Sequence, residues 1–403
     1  MWAKPIRSIF GLLLVLTLLA GLVSACAGAA PTPTPAPAKP AAAPAAAPTS
    51  APAPAKPAAE PTKPAAAAPA PKPAAQQVKL RFATEFALGA IATDVIKEWL
   101  EAVEKRTAEQ VKFETYWGGA LVKAGEGLPQ VQRGALDMTL YAVQNHPSQL
   151  VLNNVFFAVP FGPKSALTLE KAVSTLYEQT PALQAEFEMF NQRLLFLEPG
   201  HGYDLFNNKP IKNVADLQGK KVAISGVYYP KVFQAAGAVP MSLPFTDRAT
   251  SLKAGLIDAV AVYPTAVVDW GWTDFGKYYT RIGMGHFPWP AFTMNTNRWK
   301  ALPKDVQDVM LDEAKKATRK AAELIEKREV TDGIGTLKSK GIEVSEFSDA
   351  DLTAWMKDMP EVALSWIKDT DKVGRPGREV VEKYMKAAVD AGHKWPKQWK
   401  VQD

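Results

Sequence analysis

The sequence carries one cysteine in 403 residues, Cys26. No disulfide can form within the chain, and beyond that position there is no thiol for nucleophilic catalysis or metal ligation. Histidine is nearly as scarce: His146, His201, His286 and His393 lie far apart, and none shows metal-ligand spacing. There is no GxSxG elbow, no P-loop and no GxGxxG; "GHGYDL" at Gly200 lacks the third glycine, and "DTD" at Asp369 opens no EF-hand loop. Carboxylate pairs are too common to judge from spacing, but no catalytic constellation rises above background. No catalytic residue, metal or cofactor is therefore expected. A basic surplus is also missing from the folded part. Of the formal net charge of +6, Lys4 and Arg7 give +2 and residues 31–75 give +3, which leaves +1. That is no nucleic-acid footprint, and no nucleic-acid partner is expected.

What is present begins with an export signal. Lys4 and Arg7 precede an uncharged run from Ile9 to Val23, followed by small residues. The run is short for a membrane-spanning helix, which needs about 20 apolar residues. "LVSAC", Leu22 to Cys26, resembles a bacterial lipobox. The resemblance implies a signal peptide of residues 1–25, cleavage before the cysteine, and a diacylglyceryl group on the thiol. Residues 26–77 then read as a spacer, because 15 of the 33 prolines fall between Pro31 and Pro73. Proline removes backbone donors, and the stretch offers no large apolar side chain to bury. Extended at about 3.1 Å per residue, such a spacer reaches on the order of 100 Å or more. The expectation is an exported domain tethered by lipid to a membrane facing the periplasm or the cell exterior.

From Val78 onward, strand-like and helix-like patterns alternate. "VKLRFAT", "VKFETYW", "LDMTLYA", "KKVAIS", "VPMSL" and "IDAVAVY" read as strands. Between them lie helical stretches, such as Val95, Trp99 and Val103 stepping by four. Alternation of this kind predicts βαβ units and largely parallel sheet. "VQRGALDMTLY" and "LKAGLIDAVAVY" also echo each other: helix, glycine, two residues, aspartate, apolar strand, tyrosine. Any α/β protein repeats such units, but the echo also fits two similar lobes aiming strand ends at one crevice. Pro303 to Val330 predicts a helix of about 42 Å, long enough to underlie both lobes. Two more helices are expected near Ala350–Lys368 and Gly377–Ala391.

Aromatic residues are concentrated between Tyr263 and Phe292, where nine of thirty positions are aromatic against 9% for the chain. Most such residues serve packing, but Tyr and Trp also line small-molecule clefts.

Four stretches together resemble the solute-binding proteins of TRAP transporters, the DctP-like family: "GGALVKAGEGLPQVQRGALDM", "FNNKPIKNVADLQGKKVAIS", "AAGAVPMSLPFTDRATSLKAGLIDA" and "MNTNRWKALPKDVQDVM". The resemblance covers about Val78 to Gly341. It implies an α/β, two-lobed, periplasmic-binding-protein-like fold with crossing hinge strands and one long helix behind both lobes. It also implies capture of a small molecule in the cleft and delivery to TRAP permease subunits, driven by an ion gradient. Lobe I is expected from 78–200 plus 289–330, and lobe II from 201–288 plus 331–403. In the family, the strand after "DLxGxK" usually carries an arginine that holds a ligand carboxylate. Here that position is Ala223, so the usual anchor is absent and a less polar or differently held ligand is expected. Lys221 shares its strand face, but lysine is more often solvated than buried. The acidic residue expected soon after Asp258 is also missing, since Ala259 to Val262 follow.

The expected ligand-binding residues are Glu85, Phe86, Trp117 and Tyr141 at strand ends of the first lobe and Tyr203 at the first crossing. The second lobe adds Ala223, Ser225, Tyr228, Tyr263 and Trp270, and "MNTNRW" adds Asn295. A receptor feeding a sensor or another transporter is the alternative role. A surface-tethered enzyme in the same cleft fits less well, because catalytic signatures are missing.

Overall fold

A computed structural model describes residues 77–357 and 359–402. The signal, Cys26 and all but the last spacer residue lie outside them. Among the described residues, eleven strands form two sheets. The first contains β1 (Val78–Thr84), β2 (Val111–Tyr116), β3 (Met138–Ala142), β4 (Gln192–Leu197) and, from much later in the chain, β10 (Pro290–Asn295), in the order β2-β1-β3-β10-β4. The second contains β5 (Asp204–Asn207), β6 (Lys221–Ala223), β7 (Val239–Met241), β8 (Ala259–Val262), β9 (Tyr278–Arg281) and β11 (Glu343–Glu346), in the order β11-β9-β5-β8-β6-β7.

The expected parallel pairing is present where helices connect the strands: β1 with β2 and β3, and β6 with β7 and β8. In each sheet one strand runs against this set. β10 is antiparallel to β3 and β4, and β5 is antiparallel to β8 and β9. These are the strands through which the chain enters a sheet from the other one.

The echo between the two halves has a structural counterpart. Gly134 and Gly255 both end a helix with positive φ, 77° and 72°, where a Cβ would clash. Three residues later in each unit comes the aspartate. The Asp137 carboxylate accepts from the Arg81 backbone N–H at 2.8 Å, and Asp258 accepts from Lys221 N–H at 2.9 Å. Each aspartate thus ties the start of its strand to the neighbouring parallel strand.

One face of the first sheet is covered by the helix Ile91–Arg106 and the long helix Lys304–Arg328. Trp99 joins them, its indole N–H donating to the Met310 carbonyl at 3.1 Å. The helix starts after Pro303, as its N-terminal proline predicts. It does not end cleanly: residues Glu329–Gly335 continue as a π-helix. Gly333 there lies against Pro264, and an added Cβ would come within 2.9 Å of the proline ring. Wide π-helical turns often mark functional positions.

Elsewhere the sequence reading needs correction. The single helix expected at Ala350–Lys368 is two, Asp349–Lys357 and Val362–Lys372. Pro360 lies between them and cannot continue a helix. Three helices between β3 and β4, Val155–Ala158, Ala166–Gln179 and Pro181–Glu188, were not anticipated. The C-terminal segment does not stay with one sheet. Trp355 donates to the Val232 carbonyl at 2.8 Å, beside the second sheet. Trp366 donates to the Val151 carbonyl at 3.1 Å, and the helix Gly377–Asp390 lies along Ala166–Gln179. Among the described residues, no helix is long and apolar enough to cross a membrane.

Candidate functional site

Three segments cross between the sheets. The chain leaves β4 through Glu198–Tyr203 to β5, and returns from β9 through Ile282–Trp289 to β10. The two connectors meet in an antiparallel bridge between Gly202 and His286. The end of the long helix supplies the third crossing, and Glu329 at that point binds both connectors. Its carboxylate meets His201 Nδ1 at 2.8 Å and His286 Nε2 at 3.0 Å. Burial alone would raise the Glu329 pKa, but the two imidazoles outweigh it and hold the carboxyl far below its usual range. Burial opposes the charged form of His286 too, yet Glu329 leaves its pKa raised.

These crossings set strand ends from both sheets around one gap. A small pocket of about 10 Å³, open to solvent, lies there, lined by Gln144, Asn154, Phe157, Ser225, Tyr228 and Tyr229. Phe157, Tyr203, Tyr229 and Phe287 form a continuous aromatic wall beside it, with Tyr203 and Phe157 each 4.9 Å from Phe287.

Several expected residues sit around this gap. Glu85 follows β1, and its Oε2 is buried without a partner. Burial raises its pKa, opposed by a hydrogen bond from the Ala142 backbone. Phe86 packs edge-on to Trp289 at 5.2 Å. Tyr203 lies on the first crossing. Ser225 and Tyr228 line the cavity, and the Tyr228 hydroxyl donates to Asp369 at 3.2 Å. Tyr263 stacks on His201 with ring centroids 4.2 Å apart.

Others are placed differently. Tyr141 is buried in the core, its hydroxyl donating to Gln192 at 3.2 Å. Asp137 and Tyr141 are four residues apart, whereas Asp258 and Tyr263 are five apart, so the tyrosines point to opposite sides relative to their aspartates. Trp117 packs edge-on to Phe82 at 5.0 Å, against the core of the first sheet. Asn295 is a helix cap: its carbonyl oxygen accepts from Asn297 N–H at 3.0 Å and Arg298 N–H at 3.1 Å, while its amide donates to Val131 O at 2.8 Å. Trp270 is 55% exposed and leans on Phe245 at 4.9 Å. Ala223 is fully buried in the core of the second sheet, beside Ala249 and Leu252.

Sequence reading missed Glu198, Trp289, Gln144 and Arg248. Glu198 is 1% exposed with Oε1 unpartnered, and burial pushes its pKa up to about 8. The Trp289 indole nitrogen and Gln144 Oε1 are likewise buried without partners. Buried polar atoms are normally satisfied, so Glu85, Gln144, Glu198 and Trp289 leave hydrogen-bonding capacity free near the crossings. Position relative to a strand end was the available signal for Gln144 and Glu198. Arg248 sits inside a helix and gave none.

The profile of the bacterial extracellular solute-binding protein family 7, DctP, matches residues 82–369. The chain belongs to that family. A solute-binding protein of Albidiferax ferrireducens is 22% identical over 297 residues, covering 70% of this chain and 84% of the relative. Among solved structures, a TRAP periplasmic solute-binding protein from Desulfovibrio salexigens superposes with a TM-score of 0.70 at 24% identity, covering 79% of this chain and 98% of that one. A marine metagenome TRAP solute-binding protein specific for aromatic acid ligands, in complex with metahydroxyphenylacetate, gives 0.69 at 21% identity, covering 79% and 100%. The chain is thus an extracytoplasmic solute-binding protein with the two-lobed fold of TRAP receptors, a family that works with membrane permeases.

Proposed function

We propose that this protein captures a small organic solute, an organic acid or a less polar aromatic compound, between two hinged lobes and passes it unaltered to a TRAP-type permease. Lobe I comprises 78–200 with 289–330, and lobe II 201–288 with 331–403, the C-terminal helices lying across both. The observation that carries the reading is the gap at the crossings, where strand ends of the first sheet contribute unpartnered buried polar atoms, and Ser225 and Tyr228 from the second sheet's side line the same pocket as Gln144 beside an aromatic wall. The structurally similar receptor specific for aromatic acids supports the ligand class. Membership of a solute-binding family supports a bound solute that is carried and not transformed. In this reading Cys26 carries the lipid, and the proline-rich spacer lets the receptor reach its permease while staying near the membrane.

Ligand-dependent thermal stabilisation tests it. A solute that binds the folded state at a hundred times its Kd adds about 2.7 kcal/mol of stability. A panel of aromatic acids, sugar acids and neutral aromatics should contain at least one that raises Tm by several degrees. No response across the panel contradicts the proposal.

A further inference from the structure

Arg248 lies in the helix Phe245–Lys253 and is 2% exposed, the one buried arginine or lysine among the described residues. Its Nε and Nη2 both donate to the Leu243 carbonyl at 3.2 Å, and Nη2 also donates to the Ser225 hydroxyl. Its guanidinium stands 5.4 Å from the Phe245 ring centroid. No carboxylate among the described residues pairs with it, and Nη1 makes no hydrogen bond to them. A guanidinium buried without a counter-charge is a costly arrangement. Burial accordingly lowers its pKa, with the Tyr203 side chain as the only opposing influence.

The neighbourhood explains where a counter-charge would come from. Ser225, which accepts from Arg248, lines the cavity between the sheets. Tyr203, which senses the charge of Arg248, belongs to the aromatic wall. Ala223 shares a core cluster with Ala249 and Leu252, which flank Arg248 in sequence or on the helix face. A small residue on β6 leaves that strand face to the helix, and the helix supplies the cation which the strand does not.

We propose that Arg248 is the anion anchor of the solute site, positioned by Ser225 and Leu243, and that the solute is a monocarboxylate with an aromatic body. One buried cation neutralises one carboxylate, and Nη1 is free to complete the contact. The Phe157, Tyr203, Tyr229 and Phe287 wall takes the apolar body. A second carboxylate would find no other buried arginine or lysine among the described residues; the remaining unpartnered groups include Glu85 and Glu198, which burial holds toward the neutral form. Monocarboxylates are therefore favoured over dicarboxylates. This rests on the receptor reading above and specifies its ligand.

The test uses the full-length protein and its Arg248→Met and Arg248→Lys variants, titrated calorimetrically with benzoate, 3-hydroxyphenylacetate, succinate and neutral benzyl alcohol. The expected result is that wild type binds at least one aromatic monocarboxylate and not succinate. Arg248→Met should lose about a hundredfold in affinity, and Arg248→Lys about tenfold because it keeps charge without the planar fork. Removing an unpaired buried charge should leave the unliganded variant melting within about 3 °C of wild type. Unchanged acid affinity in Arg248→Met overturns the proposal. So does a large fall in Tm with affinity preserved, which marks a structural arginine. Binding of benzyl alcohol without the acids overturns the anchor but leaves the receptor reading intact; binding of none of the four probes removes both.

Discussion

Asn295 and Glu198 occupy opposite corners of the residue-scale argument. Asn295 was expected at the ligand because of its neighbours in sequence, yet its side-chain oxygen and its amide nitrogen are both engaged within the fold. Asn295→Ala removes a helix cap and one of the donors to the Val131 carbonyl, which keeps the Gly134 N–H, so denaturant unfolding should show a loss of about 1–2 kcal/mol. Solute affinity should stay within about twofold of wild type; a larger affinity loss would return Asn295 to the site. Glu198 has the reverse profile, buried with spare capacity. Its folded pKa of about 8 stands above the unfolded value, so the unfolded chain gives up its proton first as pH rises. The stability associated with neutral Glu198 is complete below about pH 4.5 and drains away as pH climbs through 8. Glu198→Gln should flatten that decline, and equal pH slopes for variant and wild type would show that Glu198 does not titrate in this way.

At the scale of elements, the three crossings are joined by one carboxylate. Glu329 reaches His201 on the outgoing connector and His286 on the returning one, from a π-helical turn at the end of the long helix. The depressed pKa of Glu329 contributes stability above about pH 4.5, lost as pH falls toward its folded value. The raised pKa of His286 contributes stability below about pH 6.5, lost as pH rises through its folded value. The stability difference between wild type and Glu329→Gln should therefore be largest between about pH 4.5 and 6.5 and shrink on both sides. A difference that does not vary with pH would deny the latch its charge. The same turn holds Gly333 against Pro264, and Gly333→Val should destabilise the protein by about 1–3 kcal/mol through overpacking. A variant with wild-type denaturant midpoint would show that the turn yields easily.

For the whole molecule, what was legible in the sequence was whatever repeats locally. The parallel strands, their helices and the long helix after Pro303 follow from periodicity, and the Gly–Asp echo marks equivalent units whose aspartates make the same backbone contact. What was not legible depends on pairs distant in the chain. β10 enters the first sheet from nearly a hundred residues beyond β4. His201 and His286 looked unrelated because their common partner, Glu329, comes from a third segment. Arg248 was hidden because only the folded structure reveals that a helix arginine lies buried without an acid. Tyr141 was misplaced by one residue of strand parity, which local pattern alone does not resolve when both strand faces are buried.

The central claim is that the gap at the crossings holds a small acid and releases it unchanged. Native mass spectrometry of the purified protein, followed by denaturation and chemical identification of whatever is released, tests this most directly. The account predicts a sub-stoichiometric or stoichiometric adduct of a few hundred daltons or less that is an intact carboxylic acid and that exchanges with added 3-hydroxyphenylacetate. A protein that emerges without an adduct and takes up no added acid, or one that converts the acid to a different compound, would contradict it.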